Sequence, residues 1–81
     1  MSYPYRPQVL EELERFGVRP TASTRPELVH DFLNDLYRCE LRRLRNRLVQ
    51  GEIRKPDYHG YVVDLRKKYL LLSVPLRLWT E

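Results

Sequence analysis

Apolar residues recur every three or four positions in three stretches of this 81-residue chain, a spacing that places them along one side of a helix. The apolar positions are Val9, Leu10, Leu13 and Phe16 in the first stretch, Leu28, Val29, Phe32, Leu33, Leu36, Tyr37, Leu41, Leu44 and Leu48 in the second, and Tyr58, Tyr61, Val62, Leu65, Tyr69 and Leu72 in the third. The pattern predicts an all-α fold with helices over about residues 7–16, 25–50 and 57–72. Short connections between them favour a mostly antiparallel, bundle-like arrangement of three helices.

The second predicted helix is the longest, and its ends carry recognised signals. Thr24 and Glu27 have the spacing of a capping box, in which the threonine hydroxyl accepts a hydrogen bond from the Glu27 N–H and the carboxylate accepts one from the Thr24 N–H. Pro26 suits a first helical turn, and Gly51 can adopt the left-handed conformation that ends a helix. At 1.5 Å per residue this helix is about 39 Å long, so other parts of the chain must cover it.

The apolar residues of this long central helix predict two faces. At 100° per residue, those of its first half (Leu28 to Leu36) centre on one direction, and those of its second half (Tyr37 to Leu48) centre about 120° away. We therefore expect the first helix to pack against the first half of the long helix and the third helix to pack against the second half. The alternatives are a kink near residue 39 or one broad buried face.

Both ends of the chain are rich in aromatic and apolar residues. Tyr3 and Tyr5 stand near the start, and residues 70–79 form an extended apolar tail that ends in Trp79. Chain ends normally fray, so this much apolar side chain indicates that the ends are held. We expect Trp79 to cap an open end of the chain's own core, and the alternative is that it anchors a partner, a common role of Trp at interfaces.

Composition favours one small globular domain over residues 1–81. Hydrophobic residues make up 42% of the chain and charged residues 32%, which is ordinary for such a domain. Cys39 is the only cysteine, so no intrachain disulfide can form, and we expect it to be a small buried residue. The sequence has neither an apolar targeting core near its start nor a run of about 18 apolar residues that could span a bilayer. A cytoplasmic protein without a membrane partner is therefore expected.

Basic charge is concentrated in the second half of the chain. Residues 1–37 contain four basic and six acidic residues, whereas residues 38–81 contain 11 basic and five acidic ones, which gives the net charge of +4. Arg38, Arg42, Arg45 and Lys67 are candidates for binding a polyanion or nucleic acid, because basic groups spaced along a helix can contact successive phosphates. The alternative is ion pairing, either with acids three or four positions away or with the glutamates of the first helix, within or between subunits.

No residue pattern indicates catalysis or metal binding. His30 and His59 are far apart, and the sequence has no HExxH, CxxC, P-loop or GxSxG motif. Asp31 and Asp35 lie one helical turn apart, but carboxylate metal sites in helical proteins also use an ExxH pair, which is absent. We therefore expect a protein that is not an enzyme and that has no catalytic residue, metal or other cofactor.

The long apolar helix gives the best indication of function, because the chain around it is short. We expect a small helical interaction module that self-associates or docks on a larger protein. The candidate contacts are Leu41, Leu44, Leu48, Tyr61 and Trp79. Binding of a polyanion or nucleic acid through the basic side of the long helix is the rival hypothesis.

Overall fold

The computed structural model describes residues 2–81, so Met1 of the predicted domain lies outside it. It contains three α-helices, α1 (Pro7–Glu14), α2 (Pro26–Val49) and α3 (Lys55–Lys68), followed by single 3₁₀ turns at Leu70–Ser73 and Leu76–Leu78. The all-α architecture with three helices and one long central helix is confirmed. None of the described helices combines the length and the apolar character needed to cross a bilayer.

The predicted helices agree with the observed ones except at some of their ends. α2 ends as expected, because Gly51 adopts a φ of +79°. Its N–H donates to the Leu48 carbonyl, and the N–H of Glu52 donates to the Arg47 carbonyl, which is the hydrogen-bond pattern of a Schellman motif. α3 stops four residues earlier than predicted, because Tyr69 leaves the helical conformation and the chain continues as a 3₁₀ turn.

The capping box predicted at the start of α2 does not form. Arg25 occupies the capping position, and no side chain caps the helix. The Thr24 hydroxyl instead accepts a hydrogen bond of 3.0 Å from the Thr21 N–H, and the Glu27 carboxylate lies 3.8 Å from the Arg25 guanidinium. The prediction was wrong because the threonine side chain stabilises the preceding loop.

The main hydrophobic core lies at one end of the molecule, which we call the core end (residues 2–36 and 69–81). Its buried residues are Val9 and Leu13 of α1, Val29 and Leu33 of α2, and Leu71 and Trp79 of the C-terminal segment (residues 69–81). Both chain ends are held there. The Arg6 N–H donates to the Trp79 carbonyl and the Glu81 N–H donates to the Pro4 carbonyl, each at 2.9 Å.

Trp79 is completely buried in this core. Its indole N–H donates to the Val74 carbonyl at 3.2 Å, and its ring centroid lies 5.9 Å from that of His30. The expectation that Trp79 closes the chain's own core is therefore confirmed. Its inclusion among the partner contacts was wrong, because the paired chain ends enclose it.

α2 has one buried face and not two. Val29, Leu33 and Leu44 are each at most 8% exposed, and at 100° per residue they lie within about 60° of one another. Leu28 and Phe32, predicted to belong to the first face, are 61% and 50% exposed. The prediction of two faces was wrong because α1, the C-terminal segment and α3 all cover the same side of α2 at successive levels.

The rest of the molecule is a two-helix hairpin (residues 37–68), in which the second half of α2 runs antiparallel to α3. Only Leu44 and Ile53 are buried in it. The molecule measures 49 × 18 × 16 Å with a radius of gyration of 15.1 Å, compared with about 12 Å for a compact domain of this length. The hairpin therefore projects from the core end as a layer only one helix thick.

Candidate interaction surfaces of the hairpin

A groove runs along one side of the hairpin, between α2 and α3. It has a volume of about 410 Å³, and its lining residues are Glu40, Arg43, Leu44, Arg47, Tyr61, Asp64, Leu65 and Lys68. Leu44 is buried and Leu65 is half-buried, whereas Tyr61 is 46% exposed. The groove is therefore apolar between the helices and has an accessible aromatic ring.

The structure brings together only part of the predicted contact set. Leu44 and Tyr61 both line the groove. Leu41 and Leu48 are half-buried, and at 100° per residue they are turned about 60° and 40° from Leu44, away from the groove. Trp79 is excluded from the set by its burial at the core end.

Charges of both signs border the groove. The basic residues are Arg43, Arg47 and Lys68, and the acidic ones are Glu40 and Asp64. A shallow depression that shares Tyr61 and Asp64 with the groove adds Asp57 to this rim. The Arg47 guanidinium carbon lies 5.8 Å from the centre of the Tyr61 ring, and this arginine also pairs with Glu52 at 3.5 Å.

The end of the groove nearest the core is fixed by a cluster around Glu40. The Lys68 ammonium lies 3.0 and 3.3 Å from the two Glu40 carboxylate oxygens, and the Tyr69 hydroxyl donates to the same carboxylate. The Tyr69 ring stacks on Phe16, with 4.8 Å between centroids, and lies 5.2 Å from the Tyr37 ring. This cluster joins α2, α3 and the residues after α1.

The same contacts shift the pKa values of the two acidic members. Partial burial acts to raise the pKa of Glu40, but the hydrogen bonds from Tyr69 and Lys68, together with the charges of Lys68 and Arg43, outweigh it and lower the pKa. Burial and the hydrogen bond to Glu40 raise the pKa of Tyr69. Both pKa shifts move the titration of these two groups further from neutral pH. Near neutral pH Glu40 therefore stays charged and Tyr69 stays protonated, and the link between the helices persists.

The opposite side of the hairpin presents basic charge only. We call it the basic face, and its residues are Arg38, Arg42, Arg45, Lys55 and Arg66, all exposed. None of them forms an ion pair within residues 2–81. Glu40, Asp57 and Asp64 lie on the groove side, and Glu52 is in the connection between the helices, paired with Arg47.

The predicted polyanion-binding set is only partly brought together. Arg38, Arg42 and Arg45 do share one side of α2, but Lys67 lines a different groove beside Arg15, the residue that follows α1. Its neighbour Arg66 lines a depression next to Tyr37, on the side of the basic face. Lys67 therefore lies apart from the α2 arginines, because the sequence alone did not show which side of α3 packs on α2.

The ion pairs expected to neutralise the arginines do not form in the described part of the chain. Lys68 pairs with Glu40 across the hairpin, whereas Asp64, four positions before it, makes no ion pair. The α1 glutamates Glu12 and Glu14 pair with Arg15 and Arg19 close by in sequence. No acidic side chain of residues 2–81 therefore neutralises the basic face through an ion pair.

The pairing of Glu40 with Lys68 gave no signal in the sequence. Glu40 and Lys68 are 28 positions apart, so only the hairpin brings them together.

Cys39, expected to be buried, is exposed, because it lies on the side of α2 away from α3. Within residues 2–81, no three His, Cys, Asp or Glu side chains are grouped as metal ligands would be.

The groove and the basic face are the observations from which a function can be inferred. Comparison of the chain with protein-family models, with curated proteins and with solved structures gave no match.

Proposed function

We propose that the protein is a small self-associating helical module in which the hairpins of two copies pack groove to groove. The observation that carries this proposal is the uncovered apolar groove between α2 and α3. Helices normally bury their apolar side against a further layer. At the core end α1 and the C-terminal segment supply that layer, whereas no part of residues 2–81 covers the groove.

Charge complementarity favours a second copy as the occupant. A dimer with two-fold symmetry places the same surface on both sides of its interface, so that surface must complement itself. The groove rim meets this condition with the basic residues Arg43, Arg47 and Lys68 and the acidic residues Glu40, Asp57 and Asp64. The basic face does not meet it, because two copies of a surface with one sign of charge repel each other.

The exposed area of the molecule also supports association. The accessible surface is 6246 Å², whereas a compact monomer of 9.9 kDa exposes about 5200 Å². The excess of about 1000 Å² is comparable to the roughly 800 Å² that each partner buries in an interface of standard size. Tyr61 is the natural anchor of such an interface, because tyrosine often supplies binding energy there.

The same proposal includes a cytoplasmic location and no catalytic activity or cofactor.

Sedimentation analysis from low to high micromolar concentration tests the proposal. We expect a species of twice 9.9 kDa in the wild-type protein and a monomer in Tyr61→Glu. Val49→Asp is the matched control, because Val49 is 78% exposed but lies outside the groove. A wild-type monomer at every concentration would contradict self-association and leave the groove to a different protein.

A complementary pair of variants tests whether the groove rim is the interface. One variant carries Arg43→Glu and Arg47→Glu, and the other carries Asp57→Lys and Asp64→Lys. Each alone has a rim of mostly one sign and is expected to remain monomeric, whereas an equimolar mixture restores the dimer mass. Glu40 and Lys68 stay unchanged, because they link the helices. A mixture that stays monomeric while the wild type dimerises would place the interface elsewhere.

A further inference from the structure

We infer that the basic face binds the phosphate backbone of nucleic acid. The face lies on the side of the hairpin opposite the groove, so it remains exposed whether or not two copies associate. The inference therefore goes beyond self-association and does not depend on it.

The basic residues form two rows on neighbouring antiparallel helices. At 100° per residue, Arg38, Arg42 and Arg45 lie within about 60° of one another, and Lys55 and Arg66 within about 20°. At 1.5 Å per residue the α2 row is about 10 Å long and the α3 row about 16 Å. With helix axes roughly 8 to 10 Å apart, the rows form a patch that can contact several consecutive phosphates.

The charges of this patch are available to a ligand. All five side chains belong to exposed residues, and none forms an ion pair in the described part of the chain. Five cations at this density repel one another, and a polyanion relieves that repulsion while releasing its own condensed counterions. Asp31 and Asp35, on α2 before Arg38, mark where the basic face ends.

The residue types favour nucleic acid over a membrane surface. Four of the five are arginine, whose planar guanidinium can donate two parallel hydrogen bonds to one phosphate. The apolar residues between the rows, Leu41, Leu48 and Val62, are half-buried. Val49 at the end of the α2 row and Leu70 beside Arg66 are exposed, but two separate side chains at opposite ends of the hairpin do not form the apolar stripe with which amphipathic helices enter a bilayer. Contacts to phosphates alone carry no base information, so binding is independent of sequence.

The number of contacts sets a measurable salt dependence. Each phosphate contact contributes about 0.9 to the slope of log affinity against log salt for duplex DNA, so five contacts give a slope of about −4.5. Affinity then falls about 500-fold between about 50 and about 200 mM salt.

Fluorescence anisotropy of a labelled duplex DNA, titrated at several salt concentrations, tests the inference. The variant Arg38→Gln, Arg45→Gln, Arg66→Gln is expected to flatten the salt slope by about 2.7, at 0.9 for each lost contact. The control Arg19→Gln, Arg25→Gln, Arg77→Gln removes the same charge from exposed residues of the core end and keeps the wild-type slope. Circular dichroism of both variants establishes that they are folded.

Three results would overturn the inference. They are no binding of the wild type at low salt, an equal loss of affinity in the control, and binding to vesicles of phosphatidylserine and phosphatidylcholine without binding to DNA. The outcome is separable from that of the proposed function, because the basic-face variant is expected to keep the dimer mass and Tyr61→Glu is expected to keep the DNA contacts of each chain.

Discussion

The two ends of α2 carry the same apolar stripe in different surroundings. Near its start, Leu33 is completely buried under α1 and the C-terminal segment, together with Leu13 and Trp79. Near its end, α3 alone lies beside the stripe, Leu44 keeps slight exposure, and Tyr61 opposite it is nearly half exposed. The helix is therefore a scaffold with one end completed by its own chain and the other end left open.

This difference shows where the folding free energy resides. Complete burial of a large apolar side chain stabilises a fold by about 1.5 to 3 kcal/mol relative to exposure. Leu13, Leu33 and Trp79 are the only completely buried large side chains of residues 2–81, and all belong to the core end. Segments with few buried contacts open locally at lower free energy. We therefore expect the hairpin to exchange its amide protons before the core end does.

Trp79→Ala is expected to have the largest effect, because it removes the centre of the core end. Truncation of a buried Trp costs about 3 to 5 kcal/mol, which is a large part of the total stability of a small domain. Chemical unfolding at neutral pH measures the loss. Tyr61→Ala in the hairpin is the comparison, expected to cost much less in dilute solution. A similar cost for both variants would remove the contrast between the two ends.

Leu33→Ala and Leu44→Ala apply one substitution at two levels of the same helix. We expect the free energy of unfolding to fall by about 4 kcal/mol in Leu33→Ala, because Leu33 is fully enclosed. We expect a fall of about 2 kcal/mol in Leu44→Ala, because the surroundings of Leu44 are open to water on the groove side. Unfolding curves at low protein concentration give both values. At high concentration the Leu44→Ala deficit is expected to grow, because the wild type then gains stability from association. A deficit that does not change with concentration would argue against the groove as an interface.

Glu40→Gln tests the link between the two ends. Hydrogen bonds to a charged group contribute about 1.5 to 3 kcal/mol when buried, so for this partly exposed carboxylate we expect a loss of about 1 kcal/mol at neutral pH. The pKa of Glu40 is lower in the folded protein than its ordinary value of 4.5. The stability that the Glu40 carboxylate contributes is therefore fully present at a pH above the ordinary pKa of 4.5. That stability is lost as the pH falls through the lowered pKa of the folded protein.

Unfolding measured at neutral and at acidic pH checks this sign. The difference in free energy of unfolding between the wild type and Glu40→Gln is expected to shrink on acidification, because the wild-type carboxylate becomes protonated and is then neutral like the glutamine. Tyr69→Phe, which removes one donor to Glu40 but keeps the stacked ring, serves as the matched variant. A difference that grows in acid would mean that Glu40 is not held in its charged form.

The two hairpin glycines are expected to show the smallest effects, with opposite signs. Gly51→Ala places a side chain at a φ of +79°, which costs about 1 kcal/mol. Gly60→Ala lies inside α3 and meets no atom within 4 Å, so it is expected to stabilise by about 0.5 to 1 kcal/mol. Thermal unfolding of both variants gives the comparison. Stabilisation by Gly51→Ala would show that this turn does not need its left-handed residue.

What could be predicted from the sequence was mainly local. The apolar spacing located three helices, and Gly51 marked the end of α2, because both signals depend on residues close together in the chain. Thr24 shows the limit of such signals, since its hydroxyl had a competing partner in the loop before the helix. The burial of Trp79 was expected because apolar chain ends need cover, although its carbonyl pairing with Arg6 was not.

The surfaces were harder to predict, because they depend on which sides of two helices meet. Leu28 and Phe32 have the spacing of a buried face but remain exposed, since α1 covers the neighbouring side of α2. Whether Arg66 or Lys67 joins the α2 arginines depends on the rotation of α3, which its weak apolar pattern did not fix. The pairing of Lys68 with Glu40 follows from that same rotation.

The antiparallel bridge between Tyr5 and Thr80 brings the two chain ends together. They meet beside the start of α2, where the Tyr3 N–H donates to the Ala22 carbonyl, while the loop between α2 and α3 lies at the far tip of the molecule. Labels or fusion partners attached at either end would therefore sit side by side and leave the hairpin unobstructed. The residues on either side of this bridge could also be joined by a short linker and the chain opened in the α2–α3 loop, which would give a circular permutant with an intact core.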